Sequence, residues 1–184
     1  IRGPLLAALN DGVVQEYFAP APADALLIDN QAGKLDVFLM GPLTMDQVRE
    51  FMIQCNAGIA EHKFGLFAVE VKKTGEMIGF IGLNIPGFKA HFTPSVEIGW
   101  RLASHSWGKG YATEGAKACL EYGFNTLGLG RIVSFTVPDN ARSRRVMEKI
   151  GMSQDLAGDF AHPNLPPEHP FSRHVLYIIR NSNN

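Results

Sequence analysis

The sequence has few of the features from which a function can be read by composition. Cysteine is scarce: Cys55 and Cys119 are the only two in 184 residues. They lie in separate helical patterns without metal-type spacing, so buried free thiols in a reducing cytoplasm are expected. An excess of one charge is missing too, with 17 Lys and Arg against 18 Asp and Glu and a formal net charge of −1. Binding along a nucleic acid needs clustered Lys and Arg to neutralise phosphates, so no nucleic-acid partner is expected. No apolar run reaches the roughly 18 residues of a membrane span, and no secretory signal pattern opens the chain, so no membrane partner is expected. Repeats and low-complexity tracts are absent. What remains is an ordinary globular composition, 46% hydrophobic and 19% charged, in a chain sized for a single domain, 1–184, with a real core.

Read along the chain, residues 4–10 and Val13 to Phe18 have short helical patterns. Residues 19–43 form a long connection with Pro20, Pro22, Gly33, Gly41 and Pro42, an insertion of which 20–43 is the unexpected part. Thr44 to about His62 is a helix, with Thr44 and Gln47 spaced as a capping box. Runs 66–71 and 77–83 flank a glycine-containing turn and read as a β-hairpin, the second run apolar on both faces and therefore mid-sheet. A loop (86–94), a strand (95–102), a helix (111–125), a strand (132–137) and a helix (140–150) closed by Gly151 follow. A Pro/His-rich rim loop, 159–173, precedes a last strand, 175–179. Strand–helix–strand–helix–strand after a hairpin is a mixed α/β (α+β) fold. The crossover helix makes strands 95–102 and 132–137 parallel neighbours.

The most informative stretch is Trp107-Gly108-Lys109-Gly110-Tyr111-Ala112-Thr113-Glu114, between a strand and a helix. Glycines one residue apart leave backbone N–H groups approachable at a helix mouth, where the first-turn N–H groups lack intrahelical partners. Such a mouth seats a phosphate. The bland alternative is a tight strand-to-helix turn. Neither a P-loop nor a dinucleotide fingerprint fits: Gly110 follows Lys109 where Ser or Thr belongs, and Thr113 stands where a third glycine belongs. Ala112, Gly115, Ala116, Cys119, Leu120 and Gly123 give the helix one small face for close packing on a sheet.

The stretch belongs to a larger array: Glu97-Ile98-Gly99-Trp100 before it, Val133-Ser134-Phe135-Thr136-Val137 after it, then Asn140-x-x-Ser143-x-x-Val146-Met147-Glu148-Lys149-Ile150-Gly151-Met152. This array resembles the GNAT superfamily of acetyl-CoA-dependent N-acetyltransferases over about residues 44–180, within it the branch of the ribosomal-protein N-terminal (alanine/serine) acetyltransferases. The resemblance implies a mixed, mostly antiparallel sheet with two splayed parallel central strands flanked by helices, and acetyl-CoA between those strands. It places the pyrophosphate on His105-Ser106-Trp107-Gly108-Lys109-Gly110 and the start of the helix, Tyr111, Ala112 and Thr113. The pantetheine arm runs beside Ile98, Gly99 and Trp100, and Asn140 and Ser143 contact that arm and the sulfur. The implied reaction is acetyl transfer to a primary amine, a peptide N-terminus or a small molecule, by direct attack in a ternary complex, in the cytoplasm.

Thioester aminolysis asks a protein to position an amine, take its proton and stabilise an oxyanion. Glu97 shares a strand face with Gly99 and is the candidate base, directly or through water. A backbone N–H near Ile98 or Gly99 is the candidate oxyanion donor, and Ser143 the group that bonds or protonates the leaving thiolate. The bland readings are a solvated carboxylate for Glu97, a surface hydroxyl for Ser143 and a plain helix N-cap for Asn140. The chain departs from the family pattern in three places. His105 replaces Gln or Arg, Met147 stands where many members carry a Tyr acid, and no first strand is read before residue 4. The alternative is therefore a catalytically weak CoA-binding module acting through protein partners. Asp159, His162, His169 and His174 match no ligand spacing, so no metal is expected. Arg142, Arg144 and Arg145 offer a partner for the 3′-phosphate of CoA. The oligomeric state is open, a homodimer included.

Overall fold

The computed structural model describes residues 14–17 and 45–182. Its elements are β1 (Val14–Tyr17), α1 (Met45–His62), β2 (Leu66–Val71), β3 (Glu76–Asn84), β4 (Val96–Leu102), α2 (Tyr111–Asn125), β5 (Arg131–Thr136), α3 (Ala141–Lys149), β6 (Ser153–Ala161) and β7 (Arg173–Arg180). The strands form one seven-stranded sheet in the order β1-β2-β3-β4-β5-β7-β6. All neighbours are antiparallel except β4 and β5, which the crossover helix α2 makes parallel. β3 lies inside the sheet, as its apolar faces predict. Among the described residues no helix is long and apolar enough to cross a membrane.

The parallel pair governs the architecture. β4 and β5 are in register at only two positions, Val96 opposite Ile132 and Glu97 opposite Val133, although the strands continue to Leu102 and Thr136. Beyond Glu97 they part, and the sheet opens into a fork. Each half keeps its own ladder: β4 pairs with β3 from Glu97 to Leu102, and β5 with β7.

The sheet divides two cores. On one side α2 lies close because it presents glycine where larger residues would collide: a Cβ on Gly115 would meet Ile81 Cδ1 at 2.6 Å, and one on Gly123 would meet Ile132 Cδ1 at 2.8 Å. Ile98, Leu102 and Ile132 point to this side, as do Met147 of α3 and Ile150 at its C-cap. On the other side Val133, Phe135 and Leu176 are covered by Phe88 and Phe92, which come from the β3–β4 loop. Within the sheet, Gly82 permits a close approach to β2, since its Cβ would run into the Gly65 carbonyl oxygen and lie 2.8 Å from Leu66 Cα. Backbone cannot swing aside as a side-chain tip can. Gly82→Ala is therefore expected to lower stability by about 3 kcal/mol, the upper end of overpacking costs, read as a reduced denaturation midpoint at unchanged m-value.

Three sequence expectations change. In place of the helix expected over Val13 to Phe18, the described residues Val14–Tyr17 form a strand, β1, antiparallel to β2 with Val14 opposite Val71. So short a segment cannot sustain a helix alone, while the open sheet edge supplies hydrogen-bond partners. The same strand fills the edge where no first strand was read. β6 was not foreseen, and it takes Asp159, Phe160 and Ala161 out of the rim loop, which shrinks to 162–172. The helical pattern at 4–10, the 20–43 insertion and the Thr44 cap lie outside the described residues.

Candidate active site

The fork begins at Glu97. Its partner across the last parallel bridge is Val133, so the carboxylate faces the side of the sheet that carries the aromatic core. Gly99, next on that face, has no side chain to crowd it: a Cβ there would meet only Glu97 Oε1, at 3.9 Å. The carboxyl thus leans along the strand toward a bare position. It is half-buried, and burial pushes its pKa up to about 8.

Hydrogen-bond alternation fixes which backbone groups face the opening. The N–H of Ala103 donates to Ile78 O at 2.8 Å, and the β3–β4 register runs without a shift to Asn84 opposite Glu97. In such a ladder alternate residues bond across, so Arg101, Gly99 and Glu97 direct their backbone groups to β3, and Trp100 and Ile98 direct theirs to the β5 side. The Glu97–Val133 bridge uses the N–H of Ile98. Trp100 therefore presents the first N–H beyond the last bridge. This corrects the expectation for Gly99, whose N–H turns toward Gly82. The Trp100 side chain itself packs against the helix-side core.

β4 runs out into the glycine loop through a 3-10 turn, Ser104–Ser106. The loop's backbone is left-handed at Gly108 (φ 76°) and Gly110 (φ 89°), and Gly110 is the N-cap of α2. No atom lies within 4 Å of a Cβ built on either glycine. The helix mouth is an open backbone cradle. Tyr111, Ala112 and Thr113 form the first turn of α2, half-buried, and Lys109 is exposed beside them. Trp107 Nε1–H donates to Leu102 O at 2.6 Å, which covers the end of the strand edge that faces the fork. His105 is drawn elsewhere: its Nε2 lies 2.7 Å from Glu76 Oε1, so its side chain ties the turn to the start of β3.

The second arm of the fork ends at Asn140. Its side chain accepts from the Ser143 N–H at 3.2 Å and donates to Thr136 Oγ1 at 3.0 Å, capping α3 and fastening it to the end of β5. Ser143 lies half-buried one turn into α3. Met147 is core, 1% exposed. Arg144 is structural: it donates to Tyr177 Oη, Pro138 O and Gln154 Oε1.

The four residues weighed as metal ligands separate. Asp159 pairs with Arg173 at 2.7 Å, and His169 Nδ1 accepts from the Phe171 N–H within a turn. His162 and His174 join Phe88, Phe135 and Phe160 in a buried aromatic cluster, their rings 5.1 Å apart. Burial lowers both, and for His162 burial, with a smaller contribution from the neighbouring His174, takes the pKa down to about 4. His162 is therefore neutral near pH 7. Sequence reasoning did not foresee this cluster, which lies on the face of the sheet to which Glu97 points. Its one local signal was the run Phe88 to Phe92, an aromatic-rich loop, held down by Arg131 Nη2 donating to Phe92 O at 2.9 Å.

A family profile described as an acetyltransferase (GNAT) domain matches residues 16–153. The Bacillus subtilis protein YkkB is 40% identical over 106 residues, 58% of this chain and 60% of that protein. The Bacillus licheniformis N-acetyltransferase p20 is 30% identical over 111 residues, 60% of this chain and 61% of that protein. The chain thus spans about 60% of the length of these curated relatives. A crystal structure of a GNAT-family acetyltransferase from Bacillus anthracis superposes with a TM-score of 0.73 at 26% identity, covering 92% of this chain and 96% of that one. With a profile matched over most of its length and the family's forked sheet in place, the chain belongs to the GNAT acetyltransferase family.

Proposed function

We propose that the protein transfers an acetyl group from acetyl-CoA to a primary amine by direct attack in a ternary complex. The observation that carries this reading is the position of Glu97: a half-buried carboxyl at the point where the parallel strands part, beside a residue without a side chain. The glycine cradle at the far end of β4 suits the pyrophosphate, because Gly108 and Gly110 expose backbone where any Cβ would intrude. The bound thioester supplies an acyl group already activated for attack.

The protein's own work is then positioning and proton transfer. Glu97, ionised, takes the proton from the amine as its nitrogen bonds to the acetyl carbon. The N–H of Trp100 faces the opening and is placed to bond the carbonyl oxygen as negative charge grows on it. The carbon–sulfur bond breaks, the Ser143 hydroxyl donates a hydrogen bond to the departing thiolate, and the thiolate takes its proton from solvent. The acceptor arrives on the aromatic side, where Glu97 points. A peptide N-terminus and a small amine both fit this chemistry, and the reducing cytoplasm suits the free thiols of Cys55 and Cys119.

Calorimetry with acetyl-CoA, followed by thiol release across a panel of small amines and N-terminal peptides, tests the reading. Binding together with amine-dependent thiol release is the expected result. Binding with no release on any amine would favour a catalytically weak module acting through protein partners, and absence of binding would overturn both.

A further inference from the structure

We propose that Arg142 is a phosphate-binding residue of this site, held in position by its stack on Trp107. The inference rests on the acetyl-CoA reading and adds a side chain from the second arm of the fork. The C-terminal ends of β4 and β5 diverge, and each leads into a short connection, one reaching Trp107 and the other Asn140 and α3. The two connections meet again where the Arg142 guanidinium carbon lies 4.5 Å from the centroid of the Trp107 ring. The contact therefore stands at the edge of the cradle, whose first glycine, Gly108, follows Trp107.

The three arginines of the sequence cluster have different fates. Arg144 spends its donors on Tyr177, Pro138 and Gln154. Arg145 is exposed, and among the described residues no aromatic ring holds it. Arg142 is exposed yet fixed, since the indole beneath it is itself anchored through Nε1 to Leu102 O and stands one residue before Gly108. Stacking uses the face of a guanidinium and leaves its in-plane N–H donors available. Among the described residues no carboxylate pairs with Arg142, so those donors are not committed to a protein anion. Rigid, planar donors beside a backbone cradle fit a phosphate group, which accepts two parallel N–H bonds.

CoA offers two such groups, the pyrophosphate and the 3′-phosphate, and dephospho-CoA lacks the second. Calorimetry of both ligands against wild type, Arg142→Ala and Arg142→Lys tests the assignment. Arg142→Ala is expected to weaken CoA binding by about tenfold, with a shallower salt dependence and an unchanged melting temperature. Arg142→Lys restores only part of the affinity, because an ammonium has no plane to stack. An equal loss for both ligands assigns Arg142 to the pyrophosphate, and a loss confined to CoA assigns it to the 3′-phosphate. Wild-type affinity in Arg142→Ala overturns the proposal while leaving the acetyl-CoA reading intact. Failure of the wild type to bind CoA overturns both.

Discussion

Glu97→Gln lowers kcat by about 10²- to 10³-fold, the range of a lost general base, and leaves acetyl-CoA affinity unchanged. The substitution keeps the shape of the side chain and its hydrogen-bonding capacity but cannot take a proton. The stronger readout is the pH profile. Burial raises the Glu97 carboxyl to about 8, so at neutral pH most of it is protonated and idle as a base. For the wild type kcat/KM should rise with pH and level off above about 8. An acceptor amine also titrates in alkaline solution, so the inflection must be assigned by its disappearance in Glu97→Gln with the same acceptor. A retained inflection, or an undiminished kcat, would remove Glu97 from the mechanism. The sign for stability is opposite to that for activity. The folded state holds this proton more tightly than the unfolded chain, so the contribution is full in acid, below the ordinary carboxylate pKa, and is lost as pH rises through about 8. Glu97→Gln should therefore flatten the stability curve across that window.

Gly108→Val abolishes measurable binding of acetyl-CoA, a fall of at least about 100-fold, because it acts on the cradle in two ways. Gly108 is left-handed at φ 76°, where an L-residue costs about 1–2 kcal/mol. Its Cβ would also project into space that the protein leaves empty and that the phosphate needs. Two N–H bonds to a charged phosphate, each contributing about 1.5–3 kcal/mol, are enough to account for the loss. Gly128→Val is the matched control: it is another left-handed glycine with nothing within 4 Å of its Cβ, far along the chain in the α2–β5 connection. It should cost similar stability and leave cofactor binding intact. Unchanged affinity in Gly108→Val would displace the pyrophosphate from this loop.

The sequence was most legible where its signal was local. The strand-helix-strand unit around the glycine loop could be read because apolar runs, two glycines and a small helical face fall in one contiguous window. Asn140 and Gly151 bracketed α3 for the same reason. β1 and β6 were not legible, since their pairing is the only thing that makes them strands. Val14–Tyr17 is four residues at a sheet edge, and Ser153–Ala161 opens on Ser153, Gln154 and Asp155 and lacks an apolar alternation, with its register to β7 shifting between Asp155 and Phe160. At the site, Glu97 could be named from its strand, but its raised pKa depends on burial that no neighbour in sequence supplies. His105 could be placed in the loop, yet its partner Glu76 lies 29 residues away. The aromatic wall is assembled from Phe88, Phe135, Phe160 and His174, four distant segments whose convergence leaves no periodic trace.

The partition of the sheet between two cores bears on how such a protein can be changed. Ile98 and Ile132 belong to the packing under α2, and Val133 and Phe135 to the packing under the β3–β4 loop, although both pairs sit on the same two strands. If the amine arrives on the aromatic side, as proposed, repacking Phe88, Phe92 or Phe160 alters the ground that receives it without touching the residues that seat α2 and its glycine cradle. Under the proposed function, acceptor preference and cofactor affinity would be separable traits, and a library confined to the aromatic side would sample new amines while each member keeps the same acyl donor.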